Sequence, residues 1–446
     1  MRRIPTDKNG KPASPPAINP GLNSRVIDNR RIPLITQTRS YELITPLFGG
    51  GAEIGRADSD TAIRGSGIRG QLRFWWRASR GGRFSGDLSR MKKAEDTLWG
   101  AASTPEKPMP SQVEVFVKVT DPGVALQPFL LELKERRSPV ARSRADVAHP
   151  YVAFPLQPKE ENIRRNGMNT VIHPVMNNVK FDLTVTFPGS QREEVEAALW
   201  AWETFGGVGG RTRRGFGALR LTAVDGSPIR PPRTQDVGHA IQEGLRKYTT
   251  DGEWPNGVPH LSISPNMRIT HEHPDSKAAW DYMANKLRCF RQQRYGGAAH
   301  SKPGRSQWPE PDEIRRLTGA RSYKHAHELS GVQKFPRAAF GLPIVFHFKD
   351  QGKGDPPTTT LQGSEDRSER LASPLILRPL ACEGGQAVGL AVVLEGTGVA
   401  HVPGGLVLKE DKRRHPAAAM LTKEEAAEIQ PLKENPDVLE AFLNFL

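Results

Sequence analysis

Hydrophobic and polar residues alternate with a period of two in four stretches of the first half of the chain. This alternation predicts strands, which are SYELITPLF (40–48), VEVFVKVT (113–120), KFDLTVTFP (180–188) and GALRLTAV (217–224). Apolar residues recur at helical spacing from Ser66 to about residue 80, near 90–100 and over 191–205. Without a loop-rich insertion at 121–178, the order is β-α-β-β-α-β, the ferredoxin-like pattern of RRM domains. Inside the insertion we predict a short strand at YVAFPL.

The second half has a weaker version of the same pattern. After a linker rich in Pro and Asp (225–258), we predict a helix at 276–294 and strands at 341–348, 374–381 and 387–395. The polar segment 349–370 is predicted to be an exposed loop, and the segments TKEEAAEIQ and NPDVLEAFLNFL to be helices. The predicted fold is therefore α+β, with two ferredoxin-like (RRM-like) domains, large loop insertions and a helical C-terminal tail. The predicted boundaries are a flexible basic arm (1–35), the first domain (36–226), a degenerate second domain (227–400) and the tail (401–446).

The charge balance indicates a polyanionic partner. The chain has 63 Lys and Arg against 49 Asp and Glu, a formal net charge of +14. Cys289 and Cys382 are too far apart for a CxxC motif and suggest a reducing compartment. The N-terminal residues lack the apolar core of a signal peptide, and no apolar stretch is long enough for a membrane helix. We therefore expect a cytoplasmic protein that does not contact a membrane.

One basic cluster lies on the helix predicted after Ser66. The segment IRGSGIRGQLRFWWRA places arginines on one face and Ile68, Leu72 and the tryptophans Trp75 and Trp76 on the other. The only acidic residue between Arg64 and Arg90 is Asp87, so these guanidiniums are predicted to be unneutralised and to bind phosphates. We favour core positions for both tryptophans over base stacking by one of them. The arginines are Arg64, Arg69, Arg73, Arg77 and Arg80.

A second cluster is the segment FGGVGGRTRRGFGAL (205–219), between a predicted helix and a predicted strand. Its glycines allow unusual dihedrals and a close approach of the main chain to a ligand. Guanidiniums and an aromatic ring beside them suit a sugar-phosphate chain. The pattern fits neither a Walker loop nor a dinucleotide fingerprint. The predicted RNA-binding residues here are Gly209, Gly210, Arg211, Arg213, Arg214 and Phe216.

A third basic region is more ambiguous. Residues 287–309 carry Arg288, Arg291, Arg294, Lys302 and Arg305 near Tyr295 and Trp308. Ordinary basic surface and nucleic-acid contact remain open here.

Catalytic motifs are absent from the sequence. His271 and His273, like His325 and His327, are spaced by two, but no HExxH or HD motif accompanies them. Asp58 and Asp60 have no evident base or metal partner in the sequence and are interpreted as loop carboxylates or partner contacts. We therefore expect no enzyme activity, no cofactor and no metal.

Several blocks between about 40 and 395 resemble the RAMP superfamily of CRISPR systems, and within it the RAMP subunits of type III-B Cmr complexes. The blocks are ITPLFGGG, IRGSGIRGQLRFWWRA, FGGVGGRTRRGFGAL, FPRAAFGLPIVF and RLASPLILRPL. The glycine-rich loop maps onto 206–217 and the arginine helix onto 66–80. The sequence departs from the family pattern at Gly67 and Ala218, and neither change removes a charge.

The resemblance implies two ferredoxin-like domains and a non-catalytic, RNA-binding subunit of an antiviral effector ribonucleoprotein. Such a subunit lies at the 3′ end of the guide RNA and helps to capture target RNA. The implied partners are the guide crRNA, the complementary target RNA, other Cmr RAMP subunits, and the backbone and small helical subunits. Two alternatives remain open, namely a RAMP-type endoribonuclease of CRISPR repeats and a purely architectural subunit whose arginines meet acidic protein surfaces.

Overall fold

The computed structural model describes residues 24–27, 30–49, 62–102, 109–133, 139–295, 305–320, 329, 331–348 and 354–446. Most of the predicted arm lies outside these ranges, as do Asp58, Asp60, Lys302, His325 and His327. Within the described part of the chain, no helix combines the length and the apolar character needed to cross a bilayer.

The first half contains the elements that the alternation predicts, together with short strands of the insertion. Its strands are β1 (Ser24–Ile27), β2 (Arg30–Leu43), β3 (Glu114–Asp121), β4 (Val124–Leu126), β5 (Phe129–Glu132), β6 (Val140–Ser143), β7 (Val175–Asn177), β8 (Lys180–Pro188), β9 (Leu219–Val224) and β10 (Ser227–Pro228). Its helices are α1 (Gly65–Arg80), α2 (Leu88–Trp99), α3 (Pro150–Ala153), α4 (Glu160–Asn166) and α5 (Arg192–Phe205).

The main sheet of the first half has the strand order β10-β9-β2-β8-β3, and β1 pairs with the start of β2. All of these pairs are antiparallel. Strands β2, β3, β8 and β9, with α1 and α5 between them, reproduce the predicted β-α-β-β-α-β order. Because β1 and β2 form a hairpin, residues 24–27 and 30–35 of the predicted arm have strand structure.

Side-chain alternation along β8 explains the position of the core. Phe181, Leu183, Val185 and Phe187 are buried and belong to the same core as Ile68 and Leu72 of α1. The opposite face of the sheet carries hydroxyl pairs, such as Thr38 with Thr184 at 3.1 Å. One face of the sheet is therefore apolar and helix-covered, and the other is polar, as expected for an antiparallel sheet.

The prediction of a strand at YVAFPL is wrong. Pro150 begins α3, where its fixed φ suits the first helical position. The ring Nδ1 of His149 accepts a hydrogen bond from the backbone N–H of Tyr151 at 3.2 Å and caps the helix. A 3-10 turn at Phe154–Leu156 continues it. The helix cap therefore determines the local structure here, although the apolar composition favours a strand.

The second half contains two further sheets. Its helices are α6 (Val237–Tyr248), α7 (Ser276–Arg291), α8 (Glu310–Thr318), α9 (Lys423–Ala427) and α10 (Val438–Phe445). Its strands are β11 (Met267–His273), β12 (Ile344–Phe346), β13 (Thr359–Gly363), β14 (Leu375–Ala381), β15 (Ala387–Val393), β16 (Leu406–Glu410) and β17 (Arg413–Ala417). One sheet has the order β11-β15-β14 and the other β12-β13-β16-β17.

Three predictions for the second half are corrected by these elements. The linker 225–258 contains α6, whose Val237, Ile241 and Leu245 form a buried stripe. The polar loop 349–370 contains β13, a central strand between β12 and β16. The tail 401–446 is not wholly helical, because β16 and β17 pair as a hairpin before α9 and α10.

The two halves share a continuous core. Ile376 of β14 and the β15 residues Leu390 and Val392 belong to the same buried cluster as α1 and α5. The other face of the β11-β15-β14 sheet contributes Leu375 and Leu377 to the cluster formed with α7 and α10. The second sheet, β11-β15-β14, is therefore covered on both faces. Through this sheet, the second half holds the segment between α5 and β9.

Candidate nucleic-acid interface

Residues 206–218, between α5 and β9, form a closed turn that we call the glycine-arginine loop. The backbone N–H of Val208 donates to the carbonyl of Gly217 at 2.9 Å and closes its base. The segment after β2 fixes one side, since the hydroxyl of Thr45 donates to the carbonyl of Gly215 at 2.6 Å. The backbone N–H of Gly210 donates to the carbonyl of Phe48 at 2.7 Å. The loop is therefore a turn fixed by hydrogen bonds and not a flexible connector.

The second half fixes the other side of the loop. Arg214 donates to the carbonyl of Leu375 at 3.0 Å and to that of Phe340 at 3.1 Å. Arg213 donates to the carbonyl of Ser373, and the indole N–H of Trp280 donates to the carbonyl of Arg214 at 2.7 Å. Two of the predicted RNA-binding arginines thus also join the two halves of the molecule.

Arg211, at the tip of the loop, has a different environment. Its backbone is in the left-handed region with φ 56°, which is uncommon outside glycine. The guanidinium lies 5.5 Å from the ring centroid of Phe154. Its Nε atom is buried without a hydrogen-bond partner, and the side chain makes no ion pair with any described residue. The structure therefore holds this cation in place without satisfying it.

Arg291, the last residue of α7, completes a group that we call the arginine cluster (Arg211, Arg213, Arg214 and Arg291). It donates to the hydroxyl of Tyr151 at 2.7 Å. The sequence left the role of this residue open. No carboxylate among the described residues forms an ion pair with any member of the cluster.

Burial and mutual repulsion act on the charges of this cluster. Burial, together with the nearby charges of Arg291 and Arg211, lowers the pKa of Arg214 to about 9. Burial likewise lowers the pKa of Arg211 to about 10, with Arg291 contributing, and it lowers the pKa of Arg213. Arg211 and Arg214 remain protonated at neutral pH, because both values lie above 7. An anion placed among them would relieve this repulsion, which is the property of a phosphate site.

Phe216 is not available to a ligand, so its prediction as an RNA contact is wrong. The side chain is fully buried. Its ring packs edge-on against Trp280, with centroids 4.8 Å apart, and against Phe48 at 5.4 Å. Gly209 and Gly210 remain half-buried near the tip of the loop. An aromatic residue next to arginines in sequence therefore serves here as the core anchor of the turn.

The arginines of α1 are oriented differently from the prediction. Arg73 donates to Glu95 at 2.7 Å, and Arg77 pairs with the same carboxylate. Arg80 pairs with Glu194 at 2.8 Å. Arg69 makes a long contact of 3.5 Å to the carbonyl of Val113. The expectation that this face is unneutralised is therefore wrong for Arg73, Arg77 and Arg80, while Arg64 precedes α1 as its N-cap residue.

The acidic partners were missed because they lie outside the segment whose acids were counted. Glu95 and Asp96 are on α2, just beyond Arg90, and Glu194 is on α5. The helical spacing of the arginines itself is correct. Trp75 and Trp76 are both buried in the core, as favoured from the sequence. Phe74 is the α1 residue that reaches the loop, with the Arg213 guanidinium 5.5 Å from its ring centroid.

Glu194 supports a prediction about acid stability. Burial alone would raise the pKa of this carboxyl, but hydrogen bonds and charges from Arg80 and Arg83, with the Trp76 N–H, hold the pKa below its usual value. A lowered pKa in the folded state gives stability that is present above the ordinary Glu pKa of about 4.3 and is lost as the pH falls through the folded value.

Glu194→Gln is therefore expected to lower the free energy of unfolding at neutral pH by about 2 kcal/mol and to flatten its decline in acid. Chemical denaturation at a series of pH values measures both effects. Glu193→Gln is the matched control, because the Glu193 side chain is 88% exposed. A Glu194 variant with the parent's acid profile would contradict this assignment.

Metal and catalytic groups add little to the site. Within the described ranges, no group of three or more His, Cys, Asp or Glu side chains is arranged to hold a metal ion. His271 and His273 lie side by side on β11, with ring centroids 4.4 Å apart, and both contact Tyr282.

The segment from the end of β2 to the start of β9, which contains α1, α5 and the glycine-arginine loop, resembles a known family. Residues 40–220 match the RAMP superfamily, which confirms the resemblance seen in the motifs. The chain is similar to Cmr1 proteins in particular. The CRISPR system Cmr subunit Cmr1-1 of Pyrococcus furiosus is 25% identical over 319 residues, which cover 71% of this chain and 77% of the relative.

Two solved structures are similar in outline. The crystal structure of Cmr1 from Pyrococcus furiosus in its apo form aligns with a TM-score of 0.44 and 17% identity, covering 81% of this chain and 88% of that chain. A cryo-EM structure of the type III-B Cmr-beta bound to cognate target RNA contains a chain that aligns with a TM-score of 0.46 and 10% identity. The alignment covers 92% of this chain and 99% of that one.

Proposed function

We propose that the chain is a non-catalytic RNA-binding subunit of a type III-B Cmr effector ribonucleoprotein. In this proposal it lies at the 3′ end of the guide RNA and helps to capture target RNA. Its partners are the guide crRNA, the target RNA, other RAMP subunits, and the backbone and small helical subunits. The similarity to a Cmr subunit and the net charge of +14 support this assignment.

The observation that carries the proposal is the arginine cluster. Its four guanidiniums have no acidic partner among the described residues, whereas the α1 arginines Arg73, Arg77 and Arg80 each have one. Residues 209–214 are half-buried, so the tip of the loop keeps part of its surface open to solvent. Unpaired cations on a fixed turn suit the backbone of single-stranded RNA. Arg64 and Arg69, at the start of α1, remain proposed contacts in the same interface.

Arg211→Gly is the sharpest test of this site. We expect the affinity for single-stranded RNA to fall about tenfold, and the slope of log affinity against log salt to weaken by about 0.7, because one phosphate contact is lost. Stability should change by less than about 1 kcal/mol, since glycine relieves the positive φ of this position. Fluorescence anisotropy with a labelled oligonucleotide over a salt series, together with urea unfolding, measures these quantities.

Arg230→Gly is the matched control for the lost charge. Arg230 is exposed and lies in an irregular segment after β10. Its variant should keep the parent's affinity and salt slope. Equal losses in the two variants would mean that net charge, and not the loop, determines binding.

A purely architectural role is the second candidate, because Arg213 and Arg214 donate to backbone carbonyls of the second half. Particle assembly that survives RNase treatment, without protein–RNA crosslinks at 206–217, would favour this role. Discrete products from CRISPR-repeat RNA, incubated without metal, would instead indicate an endoribonuclease.

We also propose that the second half is a degenerate ferredoxin-like copy of the first. The order β11-β15-β14, with α7 after β11, matches β2-β8-β3 with α1 after β2. The described residues place no fourth strand beside β11, where β9 lies in the first half. The copy would thus keep the half of the pattern that supports the arginine cluster.

A further inference from the structure

Phe154 is an exposed aromatic ring beside an unsatisfied cation. It leaves 60% of its surface in solvent, although it is a large apolar side chain. The guanidinium of Arg211 lies 5.5 Å from its ring centroid. Exposed single hydrophobic residues need no explanation by themselves. An exposed ring held against a guanidinium that has no acidic partner among the described residues does need an explanation.

The backbone around Phe154 is held firmly on both sides. Val152 and Ala153 before it and Leu156 after it are buried in a cluster with Trp280 of α7. The hydroxyl of Tyr151 accepts a hydrogen bond from Arg291. The same arginine cluster therefore fixes the segment that presents the ring, so the ring does not have to be ordered when a ligand binds. Such preorganisation lowers the entropic cost of binding.

We propose that Phe154 and Arg211 form a site for one unpaired RNA nucleotide. The base stacks on the open surface of the Phe154 ring, and the adjoining phosphate is held by Arg211 with Arg291. This inference rests on the proposed RNA-binding function and specifies how one nucleotide is held. Every base has a π-face that can stack on an aromatic ring, so the site selects unpaired nucleotides without selecting a sequence. An apolar protein surface would cover the ring but leave Arg211 without a counter-charge, which favours RNA.

The experiment compares a short oligouridylate with an oligomer of equal length that carries abasic sites. The full chain is titrated with each by fluorescence anisotropy, as the parent protein and as Phe154→Leu, which keeps the apolar bulk and removes the ring. We expect the parent to prefer the oligouridylate and the variant to lose about tenfold in affinity for it. Affinity for the abasic oligomer should be unchanged. Phe154→Trp should retain the preference for bases.

Phe116→Leu is the matched control, because Phe116 is 49% exposed on β3 of the first sheet. It should leave both affinities at the parent's values. If Phe154→Leu kept the full preference for bases, this inference would fail while the proposed function stood. If the parent bound neither oligomer, both would fail. If the variant kept the preference but was lost from the assembled particle, the ring would contact a protein subunit, and the nucleotide site would be excluded.

Discussion

Replacement of Arg378 by alanine is expected to lower the free energy of unfolding by about 5 kcal/mol. Arg378, on β14, is 1% exposed, and its guanidinium donates to three backbone carbonyls of the first half. The distances are 2.6 Å to Gly206, 2.7 Å to Leu219 and 3.3 Å to Trp202. Truncation leaves these acceptors buried without a donor and opens a cavity, and each effect costs a few kcal/mol.

The same side chain positions the glycine-arginine loop. Gly206 begins the loop and Leu219 follows it, so one guanidinium from the second half holds both ends of the loop. Burial lowers the pKa of Arg378 to about 9, with Glu203 acting in the opposite direction, so the group is still charged at neutral pH. We therefore expect Arg378→Ala to weaken RNA binding as well as stability.

Urea unfolding of a series of variants separates these contributions. Arg378→Met keeps most of the volume and loses every hydrogen bond, whereas Arg378→Lys keeps the charge but lacks the planar fork. Both should fall between the parent and the alanine variant. Arg220→Ala is the control, because Arg220 is an arginine of β9 that is 34% exposed and pairs with Glu42. Its loss should cost less than about 1 kcal/mol. A similarly small loss for Arg378→Ala would show that this guanidinium does not hold the two ends of the loop.

The sequence pattern was sufficient to predict most of the elements near the site. Strict alternation places β3 and β8 within one residue of their predicted bounds, because one face of the sheet is buried and the other is polar. Helical spacing likewise predicts α1 and α5. The strands β13, β16 and β17 were not predicted, and two of them, β13 (TTLQG) and β17 (RRHPA), are rich in polar residues. The pairing of β13 with β16 also joins residues more than forty positions apart, such as Thr360 and Lys409.

The candidate site was predicted only in part, because sequence shows where arginines occur but not what faces them. Arg73 and Arg211 look equivalent by local composition. In the folded chain the first meets Glu95 and the second meets Phe154. Arg291 joins the loop only through the packing of α7 on the second sheet. Tertiary structure thus divides these arginines into a set on α1 that pairs with carboxylates and a set at the loop that has no acidic partner among the described residues.

Gly217→Ala is expected to lower the free energy of unfolding by about 4 kcal/mol and to disrupt the glycine-arginine loop. Gly217 has φ +60°, and a Cβ added there would lie 2.0 Å from the carbonyl oxygen of Val208. No rotamer can relieve a clash between a Cβ and a backbone atom. The hydrogen bond from the Val208 N–H to the Gly217 carbonyl closes the loop at this point, so moving either strand of the turn breaks it. The left-handed conformation adds about 1–2 kcal/mol to the cost.

Gly226→Ala is the matched control for Gly217→Ala. Gly226 also has a positive φ of +78°, but an added Cβ would meet nothing within 4 Å. The free energy of unfolding of this variant should therefore fall only by the conformational contribution, about 1–2 kcal/mol, and the variant should bind RNA as the parent does. Urea unfolding and oligonucleotide binding of the two variants measure the difference directly. Equal stability losses would show that the close approach to Val208 does not shape the loop. Full RNA affinity in a folded Gly217→Ala protein would show that the loop geometry does not place the arginines for binding.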